Sequence, residues 1–159
     1  MAYLLDTNHC SELFAGNDEQ LRRRAEQEDA DEVCISATVA GELSYMCWNS
    51  ERREENWERL ERFLKTVRVV PVEVEVARYY GEVKAALWEK FGPKSKKDRR
   101  QREFKTIGFS ENDIWIAAAA ISCGAILVTA DGHFSRIQQA CQDLRVESWL
   151  SSPPPAPLR

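Results

Sequence analysis

Tyr3-Leu4-Leu5-Asp6 begins the chain with a short apolar run that ends in an acid. Such a run is typical of a buried β-strand, and Asp6 stands where the strand passes into the next segment. Three further acids, Glu42, Asp113 and Asp131, each stand where a strand or loop passes into a predicted helix. In an open α/β sheet these junctions converge along one edge, where ligands bind. We therefore expect the four carboxylates to lie together.

Four carboxylates in one place favour a bound cation. At about 4 Å, two like charges repel by about 1 kcal/mol in bulk water and by about 4 kcal/mol at an effective dielectric constant near 20. Four such groups could not all stay ionised without a metal. Ligands that are all oxygen atoms suit Mg²⁺ or Mn²⁺. The sequence thus predicts one catalytic and metal-binding set, namely Asp6, Glu42, Asp113 and Asp131.

Each acid also has an ordinary structural explanation. Asp6 could cap the helix that follows it, Asp113 completes an S-x-x-D capping pattern with Ser110, and Asp131 precedes a glycine in a common turn dipeptide. Glu42 is harder to explain in this way, because it lies one turn into an apolar helix and helical side chains lean toward the amino terminus. The predicted position of all four acids on the same edge of the sheet favours a functional site over four separate caps and turns.

Small polar residues accompany the acids. Thr7, Asn8 and Thr129 could hold the second oxygen of a carboxylate and so orient a metal ligand, or they could simply be helix caps. His9 and His133 could in principle form the acid–base pair of a metal-free active site. Nothing in the sequence activates or aligns these two histidines, so we favour the metal.

Length and composition predict one domain. A chain of 159 residues that is 43% hydrophobic can bury one core. We assign residues 1–150 to that domain and expect the proline-rich segment 151–159 to be disordered. Five cysteines without C-x-x-C spacing are typical of reduced thiols in a cytoplasm. The absence of a signal-peptide pattern and of a long apolar run predicts a cytoplasmic protein without a membrane partner.

Strands and helices alternate along the sequence, which predicts an α/β fold with a mostly parallel sheet. The predicted strands are 3–5, 33–36, 67–72, 125–129 and 145–147. The predicted helices are 9–29, 38–48, 51–65, 74–90, 111–123 and 133–142, and a charged loop is expected over 93–109.

One segment is strongly basic although the chain has a formal net charge of −4. Its position before Asp113 favours a contact with nucleic-acid phosphates at the mouth of the site, and a solvated loop is the plain alternative. The seven cations are Lys94, Lys96, Lys97, Arg99, Arg100, Arg102 and Lys105.

These motifs together resemble the PIN-domain family and, within it, the VapC-type toxins of toxin–antitoxin modules. The likeness covers about residues 1 to 150 in the order and close to the spacing of the family. The segments that carry it are Leu4 to Asn8, Ser36 to Leu43, Glu111 to Ala118, Leu127 to Asp131 and Val146 to Trp149. The loop 93–109 departs from the family, since it is longer and more basic than usual.

The resemblance implies a Rossmann-like, three-layer fold with about five strands. It also implies a Mg²⁺- or Mn²⁺-dependent endoribonuclease that a cognate antitoxin inhibits, that usually forms a homodimer, and that meets DNA only through the antitoxin. Asp6, Glu42, Asp113 and Asp131 match the acidic site of the family, and Asn112 would join the residues around it. Hydrolysis by water would leave a 5′-phosphate and a 3′-hydroxyl, and the basic segment could alternatively contact the antitoxin.

Other small α/β proteins fit the sequence less well. A phosphorelay receiver needs an aspartate at the end of its third strand, and Val69 to Val72 contains none. A haloacid-dehalogenase-type phosphatase needs an aspartate where Asn8 stands, and a dinucleotide-binding domain needs a glycine-rich first turn. A catalytically silent binding protein with this fold and a nuclease acting on DNA or structured RNA remain as alternatives.

Overall fold

The structure, a computed structural model, describes residues 1–16, 18–29 and 32–150. The predicted tail 151–159 lies outside these residues. The strands are β1 (Tyr3–Leu5), β2 (Val33–Ser36), β3 (Arg68–Val70), β4 (Ile126–Val128) and β5 (Arg145–Glu147). They form one sheet in the order β3-β2-β1-β4-β5, and every neighbouring pair is parallel. The predicted α/β fold and its five strands are confirmed.

Helices connect the strands and cover the sheet. They are α1 (Thr7–Ala15), α2 (Glu19–Gln27), α3 (Ala37–Trp48), α4 (Arg53–Leu64), α5 (Val74–Phe91), α6 (Lys96–Gln101), α7 (Glu111–Ser122) and α8 (Gly132–Ala140). A short 3₁₀ helix, Phe104–Ile107, lies between α6 and α7. Among the described residues, no helix is both long and apolar enough to cross a membrane.

The middle of the sheet forms the core and positions the site. Strand β1 lies at its centre between β2 and β4, and all three of its residues are buried. Helix α7 is buried along Ala117 to Ala120, whose small side chains allow neighbouring elements to approach closely. Because α1, α3 and α8 begin directly or within a few residues after β1, β2 and β4, their first turns share the carboxyl edge of the sheet.

Three predicted elements differ from the structure. The single helix predicted over 9–29 is two helices, because α1 ends at Gly16, whose left-handed φ of 70° stops it. The predicted strand 67–72 narrows to 68–70, since Pro71 cannot donate a hydrogen bond to a ladder. The predicted loop 93–109 contains α6 and the 3₁₀ helix, consistent with the helix propensity of its lysines and arginines.

Candidate active site

The structure brings the four predicted acids to one cavity of about 350 Å³ at the carboxyl edge of the sheet. Each acid comes from a different helix or its cap, at α1, α3, α7 and α8 respectively. The lining residues are Asp6, Thr7, Asn8, Glu42, Tyr45, Met46, Asp113, Ile116, Asp131 and Phe134. Acids that are distant in sequence therefore face a common space.

Asp6 is the most buried of the four acids, with 3% of its surface exposed. It caps α1, and its Oδ1 accepts hydrogen bonds from the backbone N–H of His9 at 2.7 Å and from His9 Nδ1 at 2.9 Å. Its Oδ2 accepts a hydrogen bond of 2.5 Å from the hydroxyl of Thr129. Both carboxylate oxygens are thus held, and the predicted orienting role of Thr129 has a geometric basis.

Glu42 is held by donors from two other helices. Its Oε2 accepts a hydrogen bond from the hydroxyl of Thr7, and its Oε1 accepts one of 2.6 Å from Asn112 Nδ2. Its position one turn into α3 lets the side chain lean back over the strand ends, as predicted from helical geometry. Predicted polar neighbours therefore contact this acid directly.

Asp113 and Asp131 lie at the start of α7 and α8. Asp113 forms a capping box with Ser110, in which Oδ2 accepts from the Ser110 N–H at 3.1 Å. Asp131 caps α8 through Oδ1, which accepts from His133 N at 2.8 Å and lies 3.1 Å from His133 Nδ1. Burial raises the pKa of Asp113, hydrogen bonds from Ser110 oppose this shift, and repulsion from Asp131 adds to it.

Capping and site formation occur together at three of the acids. The caps account for Oδ1 of Asp6, Oδ2 of Asp113 and Oδ1 of Asp131. An ionised carboxylate offers about four acceptor positions, so a capping bond leaves others available to a ligand. The ordinary structural explanation and the functional one are therefore compatible.

The donor set fits a hard divalent cation. Within the part of the chain that the structure describes, no group of three or more His, Cys, Asp or Glu side chains is placed to hold a metal ion by itself. Zinc sites need such a group, whereas Mg²⁺ keeps several waters and is usually held by one or two carboxylates together with substrate phosphates. An open cavity lined by four carboxylates suits the second kind of site.

The two histidines do not form an acid–base pair at the cavity. His9 is fully buried beneath Asp6, whereas His133 is exposed and pairs with Asp131. The sequence analysis did not identify His9 as a neighbour of the acidic site. The D-x-x-H spacing, which places His9 three residues after the cap of α1, could have indicated the contact.

The basic segment does not line the cavity. Six of its seven cations are exposed, and Arg99 is half-buried with its Nε donating to the carbonyl of Pro93 at 2.6 Å. Phe104 anchors the segment, since its ring packs edge-on against Trp88 at 5.5 Å. A contact between these cations and RNA would therefore involve RNA outside the cleft.

The apolar part of the cavity wall was not predicted either. Tyr45 and Met46 line it on α3 with 68% and 47% of their surfaces exposed. Helix α3 is apolar on most of its sides, so periodicity could not show which residues face this opening. Exposed apolar groups beside carboxylates can contact a base or sugar while the acids face the phosphate.

Comparison with known proteins gives a consistent assignment. The PIN-domain family model matches residues 3–140. The curated protein "Ribonuclease VapC2" of Haemophilus influenzae is 31% identical over 151 residues, which cover 94% of this chain and 99% of that protein. A solved DNA-bound VapBC from Salmonella typhimurium matches with a TM-score of 0.74, 27% identity, and coverage of 94% of this chain and 98% of that chain.

A second solved structure agrees with the first. VapBC2 from Rickettsia felis, bound to a promoter DNA fragment, matches with a TM-score of 0.71 and 26% identity over 94% of this chain and 99% of that chain. The family match, the curated relatives and the shared fold extend over nearly the whole chain. The chain therefore belongs to the PIN-domain family and, within it, to the ribonucleases of the VapC type.

Proposed function

We propose that this chain is a Mg²⁺- or Mn²⁺-dependent endoribonuclease toxin that hydrolyses RNA phosphodiester bonds. The observation that carries the proposal is the convergence of Asp6, Glu42, Asp113 and Asp131 on one cavity. The names of the curated relatives support ribonuclease activity. The all-oxygen donor set supports a divalent cation as cofactor.

The proposed roles follow from the geometry. Asp6, Glu42, Asp113 and Asp131 would bind the cation directly or through its water molecules, and their neighbours Thr7, Asn112 and Thr129 would orient them. The chemistry that a bound ion supplies is a lowered pKa for an attacking water and neutralised charge on the scissile phosphate. In-line attack would leave a 5′-phosphate and a 3′-hydroxyl. Asn8 lines the cavity and would contact the substrate or a water there.

The proposed antitoxin, homodimer and DNA partners are inferred from proteins that are similar to this chain. Proteins similar to this chain were solved as VapBC complexes, some of them bound to DNA. By analogy, this chain would be neutralised by a cognate antitoxin, would form a homodimer, and would meet DNA only through that antitoxin. Its substrate would place the activity in the cytoplasm.

The basic segment would add affinity for RNA. Lys94, Lys96, Lys97, Arg100, Arg102 and Lys105 are exposed on one short stretch that precedes α7. Lys105 also lies 2.6 Å from Glu103 in a surface ion pair. Contacts of cations with phosphates carry no sequence information, so these residues would contribute to affinity and not to choice of the cleavage site.

One assay separates the candidate functions. Purified protein is incubated with labelled single-stranded RNA, single-stranded DNA and duplex, each with and without Mn²⁺. We expect Mn²⁺-dependent cleavage of single-stranded RNA, and no cleavage by an Asp113→Asn variant. Cleavage of DNA or duplex alone would favour the related nuclease. No cleavage of any substrate in the presence of Mn²⁺ would favour the catalytically silent binding protein.

A further inference from the structure

His9 is a fully buried histidine in the first turn of α1. Its Nδ1 lies 2.9 Å from Oδ1 of Asp6, and its Nε2 lies 3.4 Å from the backbone nitrogen of Trp149. Both ring nitrogens therefore have a partner. A histidine placed in the core only to fill space would not need two polar contacts at its two ends.

The two contacts determine which nitrogen carries the proton. The backbone N–H of Trp149 can only donate, so Nε2 of His9 must accept. The proton is then on Nδ1, which donates to Oδ1 of Asp6. This is the arrangement in which a histidine can add a donor to a carboxylate, because the opposite tautomer would place a lone pair against the acid.

The donor from His9 adds to two others on the same carboxylate. The backbone N–H of His9 also donates to Oδ1, and the hydroxyl of Thr129 donates to Oδ2. Donors on both oxygens fix the rotation of the carboxyl plane, so the remaining lone pairs have a defined direction. Because Asp6 lines the cavity, that direction determines how it can meet a cation.

The ring also connects Asp6 to the end of the sheet. Trp149 follows β5 and is buried, and its indole packs edge-on against Tyr3 with ring centroids 5.0 Å apart. Tyr3 begins β1, the strand that leads to Asp6. His9 is therefore supported from its far side by a packed aromatic pair, which limits its own freedom to rotate.

We propose that His9 is a positioning residue that orients the Asp6 carboxylate for divalent-cation binding. The proposal rests on the proposed metal-dependent function and extends it to a residue that does not face the cavity. Partners of metal ligands typically change metal affinity by about 10- to 100-fold when they are removed. Loss of the His9 donor should therefore weaken binding of the cation even though Asp6 itself is retained.

Two substitutions at the same position separate positioning from packing. His9→Leu keeps most of the side-chain volume and removes the donor to Asp6. His9→Asn loses more volume but can place its Nδ2 where the histidine has Nδ1. Both variants remove the acceptor for the Trp149 N–H, so this loss cancels in the comparison. Leu21→Ala is a control for loss of core packing alone, because Leu21 is buried on α2, a helix that carries none of the four acids of the site.

The measurement is the dissociation constant for Mn²⁺, from the electron paramagnetic resonance signal of free Mn²⁺, without RNA and below the melting temperature of every variant. We expect His9→Leu to bind about 10- to 100-fold more weakly than wild type. His9→Asn should stay much closer to wild type although it is less stable, and Leu21→Ala should bind like wild type. The affinity for Mn²⁺ should thus depend on whether residue 9 can donate a hydrogen bond to Asp6, and not on the stability of the variant.

Three results would overturn the inference. Wild-type affinity in His9→Leu would show that Asp6 needs no help from the ring, and equal weakening in both His9 variants would assign the effect to packing. Failure of wild type to bind Mn²⁺ would overturn the proposed metal-dependent function together with the inference. If the wild-type protein bound Mn²⁺ and the His9→Leu variant bound it equally well, only the inference about His9 would be overturned. The two failures are therefore distinguishable.

Discussion

Asn112 and Glu42 are joined by a hydrogen bond of 2.6 Å from Nδ2 to Oε1, although 70 positions separate them in sequence. The contact connects the first turn of α7 to α3, and the hydroxyl of Thr7 connects the same carboxylate to α1. Glu42 thus ties together three of the helices that bring acids to the cavity. Substitution of the residues that contact Glu42 should therefore change RNA cleavage more than it changes the stability of the fold.

Asn112→Ala should lower the rate of RNA cleavage by about 10- to 100-fold, as removal of a partner of a metal ligand typically does. The fold should be little affected, because Asn112 is exposed. Cleavage of a labelled single-stranded RNA and thermal unfolding measure the two effects. Gln139→Ala, another exposed amide, should change neither. A full cleavage rate in the Asn112 variant would mean that Glu42 does not depend on this bond.

Asp6→Asn or Asp113→Asn should abolish RNA cleavage and leave the fold nearly intact. Each change removes a proposed ligand and a negative charge, while the asparagine oxygen can still accept the backbone N–H that Asp6 or Asp113 accepts. Circular dichroism reports the fold, and the cleavage assay reports activity. Asp143→Asn, at an exposed position away from the cavity, is the matched control. Cleavage at the wild-type rate by the Asp6 variant in Mg²⁺ would refute the metal-site assignment.

The fold was largely predictable because its strongest signals are local. Short, mainly apolar runs located four of the five strands, whereas β5 has one apolar residue between two charged ones. The alternation of strands with helices implied parallel pairing. The two main errors have different causes. A single residue, Gly16, ends a helix that charge and periodicity would continue. A charged segment that was predicted as a loop has the helix propensity to form α6.

The acids of the candidate site were predictable because parallel strands place their carboxyl ends along one edge. The specific contacts that neighbouring side chains make with these acids were not predicted. The bond from Asn112 to Glu42 depends on how α3 and α7 pack, which no local pattern specifies. The contact of His9 with Asp6 is local, and only the D-x-x-H spacing indicates it. The basic segment is not among the residues that line the cavity, and its position at the mouth of the site stays a prediction.

The pH dependence of stability should show the raised pKa of Asp113 in protein free of divalent ions. Burial is the largest cause of this shift, and repulsion from Asp131 contributes to it. As pH rises above the ordinary aspartate value of about 3.9, the unfolded state loses this proton first, so the free energy of unfolding falls until the folded pKa is passed. Asp113→Asn removes this effect.

The difference in the free energy of unfolding between the Asp113→Asn variant and wild type should therefore be smallest in acid. It should rise with pH above about 3.9 and then become constant. Urea unfolding at a series of pH values measures it. A difference that is independent of pH would mean that the folded environment leaves the proton affinity of Asp113 unchanged.

Exposed cations of the basic segment should account for part of the salt dependence of RNA binding. Replacing Lys94, Lys96, Lys97 and Arg100 with Ser should weaken binding and flatten the plot of log affinity against log salt by about 0.7 for each lost phosphate contact on a single strand. Arg99 is left in place because it donates to Pro93. A catalytically inactive Asp113→Asn background allows affinity to be measured without cleavage.

The control for this prediction is an equal loss of charge elsewhere. Arg22, Arg23, Arg52 and Arg53 are exposed on α2 and at the start of α4, so their replacement with Ser changes net charge by the same amount. We expect a smaller change in slope from this control. Equal slopes in the two variants would show that net charge matters and that the basic segment has no specific contact with RNA.

Divalent cations should stabilise the folded protein if the acids bind them. A ligand that binds only the folded state at 100 times its dissociation constant adds about 2.7 kcal/mol to the free energy of unfolding. Mg²⁺ and Mn²⁺ should therefore raise the melting temperature of protein first stripped with chelator. Calcium should stabilise the fold as well without supporting cleavage, because its looser coordination positions a water less well.

Glu42→Gln tests whether this stabilisation comes from the acids. Glutamine can accept the bond from Asn112 through its oxygen and donate its amide N–H to the hydroxyl of Thr7. It lacks the charge, so the rise in melting temperature with Mn²⁺ should shrink. The same change should stabilise the stripped protein, because one of four mutually repelling charges is lost. Glu147→Gln, on β5 and outside the cavity lining, is the control. If wild type showed no response to millimolar Mn²⁺, the four carboxylates would not form a cation site, whatever their shared cavity.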